Sequence, residues 1–209
     1  MKIGIIGSGN VGGALGCRWA QAGHEVIFAS RHPQSPEMQE LIAKSPGSRA
    51  ASDAEAVSPS EILVLATPWP PTEQIVRGLG DLGNRIVIDA TNALKPDLSG
   101  MALENTTSGA EQVSKWALGG RVVKAFNTVG SNIMENSTFG AEKPVLFYCG
   151  DDAEAKKTVH ALAAELGFDP QDAGPLDQAR LLEPFALLWI TLALKYGYGR
   201  EIAFKFLRR

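Results

Sequence analysis

The sequence of 209 residues has few of the side chains that build metal sites and disulfide frameworks. Only two cysteines are present, Cys17 and Cys149, and the three histidines, His24, His32 and His160, lie far apart along the chain. A disulfide framework needs more cysteines, and no CxxC, HxxxH or HExxH spacing of the kind that binds zinc occurs. We therefore expect no bound metal, and we expect both cysteines to be buried, reduced thiols, as is usual in the cytoplasm.

The sequence also lacks a long apolar run and a strong excess of one charge. Its longest apolar stretch, Phe185–Leu194, is far shorter than the roughly 20 residues that span a bilayer, and the apolar start MKIGII is too short for a signal peptide. The formal net charge is −3, and Lys and Arg are scattered along the chain. These features predict a cytoplasmic protein that binds neither nucleic acid nor a membrane.

What the sequence does contain is an alternation of apolar segments and helical patterns. The segments predicted as strands are residues 3–6, 24–30, 60–69, 84–92, 121–129 and 144–150. Helical patterns are predicted from Ala14 to a stop at Gly23, over 36–44, 72–79, 108–118 and 151–167, and throughout 176–209. This order predicts an α/β fold of the Rossmann type, with a doubly wound, mostly parallel sheet and a small C-terminal helical layer.

The predicted domain organisation is a single compact unit made of two parts. Residues 1–129 are expected to form the nucleotide-binding core, and residues 130–209 a C-terminal extension packed on it. Within that extension, Pro184 has no amide hydrogen to donate, so we expect the last helix to start or kink near it.

A glycine-rich loop, GSGNVG at Gly7–Gly12, gives the first indication of a ligand. The GxGxxG pattern is weak alone, but here a predicted strand precedes it, a helix follows, and a second strand closes the unit. In that context Gly7 permits a tight turn, Gly9 lets the backbone approach a pyrophosphate, and Gly12 lets helix and strand pack closely. The alternative is a glycine turn that serves packing alone. The predicted cofactor-binding residues of the loop are Gly7, Ser8, Gly9, Asn10 and Val11.

The end of the second predicted strand indicates which dinucleotide is bound. NAD-binding folds usually place an acidic residue there for the ribose 2′-hydroxyl, whereas this chain has Ser30 and Arg31, and no carboxylate until Glu37. A hydroxyl and a guanidinium suit a 2′-phosphate, so the sequence predicts NADP(H) as the cofactor. The alternative is that Arg31 is a solvated arginine in a loop.

Three further strand ends are expected at the same edge of the sheet, where ligands bind in this fold. We expect residues there to line the ribose and the nicotinamide, although Pro68 also fits the start of a helix. The predicted cofactor-binding residues from these strand ends are Thr67, Pro68, Asn92 and Asn127.

No convincing general acid or base accompanies this predicted site. Lys124 lies within a predicted strand, which favours a structural role, and Asp89 could equally be a cap in a loop. The tyrosines Tyr148, Tyr196 and Tyr198 come too late in the chain for a Tyr–Lys pair. We therefore predict no catalytic side chain, which suits hydride transfer to a second redox cofactor, because the cofactors then carry the chemistry.

Several stretches together resemble a known family over essentially the whole chain. They are IGIIGSGNVGGALG, ASR, ATPW, VVKAFNT, YCGDD, DAGPLDQARLLEP and GYGREIAFKFL. On these residues the chain resembles the deazaflavin-dependent NADP reductases, and it is also similar to the cytoplasmic NADPH-binding domain of transmembrane metalloreductases. Asn127 stands where the deazaflavin enzymes tend to have His and matches the metalloreductase form. No transmembrane segment follows, so we expect no membrane haem relay within this chain.

The resemblance implies a function and a site. It implies an NADPH-dependent oxidoreductase that transfers hydride between NADP(H) and a small-molecule acceptor, a flavin or a deazaflavin. Ser8–Val11 would hold the pyrophosphate, Ser30 and Arg31 the 2′-phosphate, and Thr67, Pro68 and Asn92 would border the nicotinamide. Two alternatives stay open: an NADP-dependent reductase of a small carbonyl or imine substrate, and a non-catalytic NADPH-binding module.

The resemblance also implies a homodimer that associates through its C-terminal helices. The sequence supports this independently, because the last helix is apolar on nearly all sides and such a helix is buried. Burial inside its own subunit is the alternative. The apolar residues concerned are Leu187, Leu188, Ile190, Leu192 and Leu194.

Overall fold

The computed structural model describes residues 1–103 and 106–209, which form one eight-stranded sheet flanked by helices. The strands are β1 (Lys2–Ile6), β2 (Glu25–Ala29), β3 (Arg49–Ala51), β4 (Ile62–Leu65), β5 (Ile86–Asp89), β6 (Arg121–Lys124), β7 (Val145–Gly150) and β8 (Asp169–Asp172). The helices are α1 (Asn10–Gln21), α2 (Pro36–Ala43), α3 (Asp53–Val57), α4 (Thr72–Gly78), α5 (Gly109–Trp116), α6 (Ser131–Glu135), α7 (Ala153–Glu165) and α8 (Ala179–Ile190).

The strand order is β3-β2-β1-β4-β5-β6-β7-β8. Strands β1 to β6 are parallel, β7 runs antiparallel to β6, and β8 is parallel to β7. The order confirms the predicted Rossmann-type, mostly parallel α/β sheet. Because the chain passes from β1 to one side and later returns to the other side at β4, a crevice opens where their carboxyl ends diverge.

Burial explains why the central strands read as continuous apolar runs. All four residues of β4 are buried, and successive side chains point to opposite faces of the sheet. Val64 packs into the core on one face and Leu63 into the core on the other. Helices cover both faces, as expected for a parallel sheet whose strands have no solvent-facing side.

Three of the predicted strands extend beyond the strands of the structure. The predicted strands 60–69, 84–92 and 121–129 end at Leu65, Asp89 and Lys124, and the residues that follow form loops at the carboxyl edge of the sheet. Strands β3 and β8 and helices α3 and α6 were not predicted, since they are short. In β8, Pro170 is tolerated because the strand lies at the edge of the sheet.

The prediction of helix throughout residues 176–209 is wrong. After α8 a single turn of π-helix covers Thr191–Lys195, and residues 196–209 form neither helix nor strand. Gly197 and Gly199 adopt positive φ angles, which end the helix, and the tail folds back so that the Val145 amide donates to the Phe204 carbonyl. Pro184 lies inside α8, so the helix does not start at the proline as we expected it could. Within the described ranges, no helix is long and apolar enough to cross a membrane.

Candidate functional site

The glycine-rich loop connects β1 to α1 at the centre of the crevice. Gly7 has φ +100°, and a Cβ there would lie 2.7 Å from the Ala66 carbonyl oxygen. A Cβ at Gly12 would lie 1.9 Å from the Gly7 carbonyl oxygen, so both positions require glycine for the turn itself. A Cβ at Gly9 would meet no atom within 4 Å. The protein does not need a glycine at Gly9, but a ligand that approaches this backbone would.

No side chain among the described residues caps the first turn of α1. The N-cap residue Gly9 offers no side-chain hydrogen bond, and the turn contains no acidic residue. By contrast, Ser35, Ser52, Ser108 and Asp152 cap α2, α3, α5 and α7 through side-chain oxygens. An uncapped helix N-terminus that faces a crevice has free N–H donors and a partial positive charge, and both suit a phosphate.

A cavity of about 680 Å³, here called the outer cavity, opens beside this turn. The residues that line it and bear on the cofactor are Ser8, Gly9, Asn10, Cys17, Ser30 and His32. The His32 amide donates to the Ser30 hydroxyl oxygen over 3.0 Å, which shapes the chain after β2. Arg31 lies between these two residues with an exposed side chain, and no hydrogen bond or ion pair to any residue in the described ranges restrains it.

A second cavity of about 370 Å³, here called the inner cavity, continues from Gly9 and Asn10 toward the ends of β4 and β5. It is lined by Gly7, Gly9, Asn10, Val11, Ala66, Thr67, Pro68, Trp69, Ala90, Thr91 and Asn92. Thr72 fixes one wall, because its hydroxyl donates to the Pro68 carbonyl and lies 2.8 Å from the Thr67 hydroxyl. The fold therefore brings Thr67, Pro68 and Asn92 to the glycine loop.

Asn127, the remaining predicted residue, lies behind the inner cavity rather than in its wall. Its side-chain amide donates to the Asn92 Oδ1 atom over 3.1 Å, and the Asn92 amide donates back to the Asn127 carbonyl over 3.0 Å. Phe126, just before it, is fully buried with φ +65°, a conformation that non-glycine residues adopt only where the surroundings hold them. Asn127 thus orients Asn92 from beneath.

A buried charged cluster, which sequence reasoning missed as a unit, lies under the same strand ends. The Lys124 ammonium lies 2.9 Å from the Asp89 Oδ2 atom, 3.0 Å from the Glu183 Oε1 atom and 2.6 Å from the Thr91 carbonyl oxygen. All three charged side chains are at most 1% exposed. Burial lowers the pKa of Lys124, but the two carboxylates outweigh it and raise the pKa above its usual value, so the ammonium is charged.

Asp89 and Glu183 also hold backbone amides at the carboxyl edge. Asp89 accepts hydrogen bonds from the amide and the hydroxyl of Thr91, at 3.0 and 2.7 Å. Glu183 accepts from the amides of Gly109 and Ala110 at the start of α5, at 2.9 and 3.1 Å. One signal was available beforehand, because Asp89 and Lys124 are ionisable residues on two successive predicted strands that are otherwise mostly apolar. Nothing local indicated Glu183.

The two cysteines differ in environment. Cys149 is fully buried, and burial raises the pKa of its thiol to about 12. Cys17 is only half-buried and lines the outer cavity, where its thiol donates to the Lys44 carbonyl over 3.0 Å. The expectation that both thiols are buried is therefore wrong for Cys17.

Comparison with known proteins agrees with this geometry. Residues 2–93, which contain the glycine loop and the ends of β1, β2, β4 and β5, match the family model described as NADP oxidoreductase, coenzyme F420-dependent. Over this segment the chain is similar to the F420-dependent NADP oxidoreductases. The chain is accordingly an NADP(H)-binding oxidoreductase, and the resemblance noted from the sequence is confirmed.

Similar proteins match over most or all of the chain. It is 28% identical over 211 residues to the F420-dependent NADP reductase of Methanocaldococcus jannaschii, with 94% of each protein covered. It is 29% identical over 191 residues to metalloreductase STEAP3 of Rattus norvegicus, of which it spans only 36%. A solved structure of a putative F420-dependent NADP reductase from Arthrobacter sp. FB24 matches with a TM-score of 0.89 at 28% identity over both full lengths.

Proposed function

We propose that the protein transfers hydride between NADP(H) and a flavin or deazaflavin acceptor. The observation that carries this proposal is the chemistry of the inner cavity wall. Among the residues that line it, none has an acidic, basic, thiol or phenol group. Reduction of a simple carbonyl needs a positioned proton donor, whereas a redox cofactor as acceptor needs mainly that two rings be held together.

The proposed placement of NADP(H) follows the two connected cavities. The amides of Ser8–Val11 would hold the pyrophosphate, and Ser30 and Arg31 the 2′-phosphate at the rim of the outer cavity. Thr67, Pro68 and Asn92 would border the nicotinamide in the inner cavity, with Asn127 behind. Bound NADPH supplies the hydride, so the chain's own residues have to hold the ring and exclude water.

The acceptor is proposed from the inner cavity wall and from the relatives' names. Trp69 and Pro68 give this cavity an apolar rim, and Trp69 packs against Trp116 with ring centroids 5.6 Å apart. Such a rim suits a planar ring system. The relatives named F420-dependent NADP reductase favour a deazaflavin, and the relatives named metalloreductase add ferric chelates to the acceptors that should be tested.

The cofactor part of the proposal is tested by affinity. NADPH should bind more tightly than NADH, and Arg31→Ala should weaken NADPH binding by about tenfold or more while leaving NADH binding unchanged, because one charge-assisted phosphate contact is lost. Isothermal titration calorimetry measures both constants. Arg77→Ala, at an exposed arginine paired with Glu73 on α4, is the control and should change neither. Equal affinities for NADPH and NADH would refute the assignment of the 2′-phosphate.

The acceptor is tested by NADPH oxidation with coenzyme F420, FMN, FAD and ferric chelates. Turnover with a flavin or with F420 is expected. Turnover only with a small carbonyl or imine would favour that reductase class instead. Tight NADPH binding without turnover on any acceptor would indicate a non-catalytic binding module.

We also propose that the protein is a homodimer that associates through α8. Leu181 and Leu188 lie on the same side of α8, and both are exposed, as is Leu194 in the next turn. An apolar stripe of this kind is usually covered by a partner. Light scattering should give twice the 22.3 kDa of one chain, and a mass of 22.3 kDa at all concentrations would refute the dimer.

We propose that residues 1–129 bind the cofactor and that residues 130–209 mediate dimer assembly. The second part supplies β7 and β8, which extend the sheet beyond β6, and it supplies α8. The predicted cytoplasmic location stays a prediction.

A further inference from the structure

The buried cluster of Lys124, Asp89 and Glu183 meets the inner cavity through Thr91. Lys124 donates to the Thr91 carbonyl oxygen over 2.6 Å, and Asp89 accepts from the Thr91 amide and hydroxyl. The carbonyl, the amide and the hydroxyl of Thr91 therefore each have a hydrogen-bond partner in the buried cluster. Thr91 and Asn92 form the floor of the inner cavity at the end of β5.

The same cluster ties this floor to two helices. Glu183 projects from α8, pairs with Lys124 on β6, and accepts hydrogen bonds from the first amides of α5. Its neighbour Leu182 accepts a hydrogen bond from the Asn127 side chain over 3.1 Å, and Asn127 holds Asn92. Strands β5 and β6 and helix α8 are thus linked directly beneath the cavity floor.

A role in stability alone does not account for such a cluster well. Three buried charges are costly to remove from water, and well-packed apolar residues of similar volume are often equally stable or more so. A charged network differs from an apolar core in that it fixes directions as well as distances. The direction fixed here is that of the Thr91 backbone and, through Asn127, of the Asn92 side chain.

We propose that Lys124, Asp89 and Glu183 are positioning residues that hold Thr91 and Asn92 in the geometry that receives the nicotinamide end of NADP(H). This inference rests on the proposed function, because it takes the inner cavity as the nicotinamide site. It adds residues outside the glycine loop, none of which touches the cofactor. The cluster acts on one end of the cofactor and leaves the phosphate-binding end untouched.

The experiment compares two ligands that differ only in the part of interest. NADPH carries the nicotinamide, whereas 2′-phospho-ADP-ribose keeps the pyrophosphate and the 2′-phosphate and lacks that ring. In Glu183→Gln, which removes the charge at nearly constant volume, the dissociation constant for NADPH should rise about tenfold. The constant for 2′-phospho-ADP-ribose should stay within about twofold of the unchanged protein, since its contacts lie at the glycine loop. Thr91→Val, which removes the hydroxyl donated to Asp89, should act in the same direction.

Glu111→Gln is the matched control. Glu111 also joins α5 to α8, through its ion pair with Arg180 at 2.6 Å, but its side chain is partly exposed and pairs with Arg180 and not with Lys124. It should change neither constant. Thermal unfolding of each variant shows that binding is measured on folded protein, and Thr91→Val decides the question if Glu183→Gln fails to fold.

The outcomes separate this inference from the proposed function. If both ligands weaken together in the cluster variants, or if neither weakens, the cluster has a purely structural role and the proposal is wrong. If the unchanged protein binds NADPH no better than 2′-phospho-ADP-ribose and no better than NADH, the proposed function fails as well. Selective loss of NADPH affinity supports the positioning role.

Discussion

The outer and inner cavities lie at one edge of the same sheet, yet they are built in different ways. The outer cavity is formed by backbone, with an uncapped helix turn at Gly9 and an exposed Arg31 at its rim. The floor of the inner cavity, Thr91 and Asn92, is supported from beneath by buried side chains, among which the Lys124 ammonium contacts two carboxylates within 3.0 Å. The outer cavity is therefore open and lined by backbone, whereas the floor of the inner cavity is held in place by buried ion pairs.

This difference is the one expected of the proposed site, with the phosphates at the outer cavity and the nicotinamide at the inner one. A phosphate is recognised by its charge, so free amides and a mobile guanidinium are sufficient and can adjust as it binds. A ring from which a hydride leaves has to be held at a defined distance and angle, and a small misplacement costs much of the rate. Rigidity is therefore expected where the chemistry occurs and can be absent where the anion is held. The predictions that follow test this contrast.

The largest effect is expected from Lys124→Met. This change leaves Asp89 and Glu183 as buried carboxylates without a cation, and breaking a buried ion pair in this way costs about 3–5 kcal/mol of unfolding free energy. Urea denaturation measures the loss. Lys156→Met is the control, because its pair with Asp172 is partly exposed and such pairs contribute about 0–1 kcal/mol. Equal losses in the two variants would contradict a rigid, charge-dependent floor.

A smaller effect, confined to ligand binding, is expected from Gly9→Ala. A Cβ at Gly9 meets no protein atom within 4 Å, so the thermal midpoint should not change, whereas NADPH should bind at least about tenfold more weakly because the methyl group occupies space beside the phosphates. Gly78→Ala, which also faces open space but lies on α4, is the control. Gly12→Ala should instead destabilise the protein itself, because its Cβ would lie 1.9 Å from a carbonyl oxygen. Unchanged NADPH affinity in Gly9→Ala would remove the glycine loop from the cofactor site.

The smallest effect is a difference in thiol reactivity. Cys17 lines the outer cavity and should be alkylated by iodoacetamide, and bound NADPH should slow this reaction severalfold by covering the thiol. Cys149 should react only on unfolding. Neutral pH lies far below the pKa of its thiol, about 12, so almost no thiolate exists, and the side chain is also buried. Peptide mapping by mass spectrometry distinguishes the sites. In Cys17→Ser, rapid labelling should disappear, and rapid labelling of Cys149 would contradict the burial described here.

Local patterns in the sequence predicted the outer cavity better than the inner one. One βαβ unit contains both the glycines Gly7, Gly9 and Gly12 and the pair Ser30–Arg31 that follows its second strand. The short chain between them brings these residues together. The predicted strand ends brought Thr67 and Asn92 to the inner cavity correctly, but the strands were drawn too long. The C-terminal tail was wrongly predicted as helix, because its apolar residues pack against β7 and not along a helix face.

By itself, the sequence determined the α/β alternation, the glycine-rich turn between β1 and α1 and the position of Ser30 and Arg31 at the end of β2, since each of these depends on interactions between near neighbours in the chain. Only the tertiary structure decided which side chains support the floor of the inner cavity. Glu183 meets the amide of Gly109 across 74 residues and meets Lys124 from another element of the fold. No periodicity in the sequence links such positions, because burial and ion pairing depend on distance in space and not on separation along the chain.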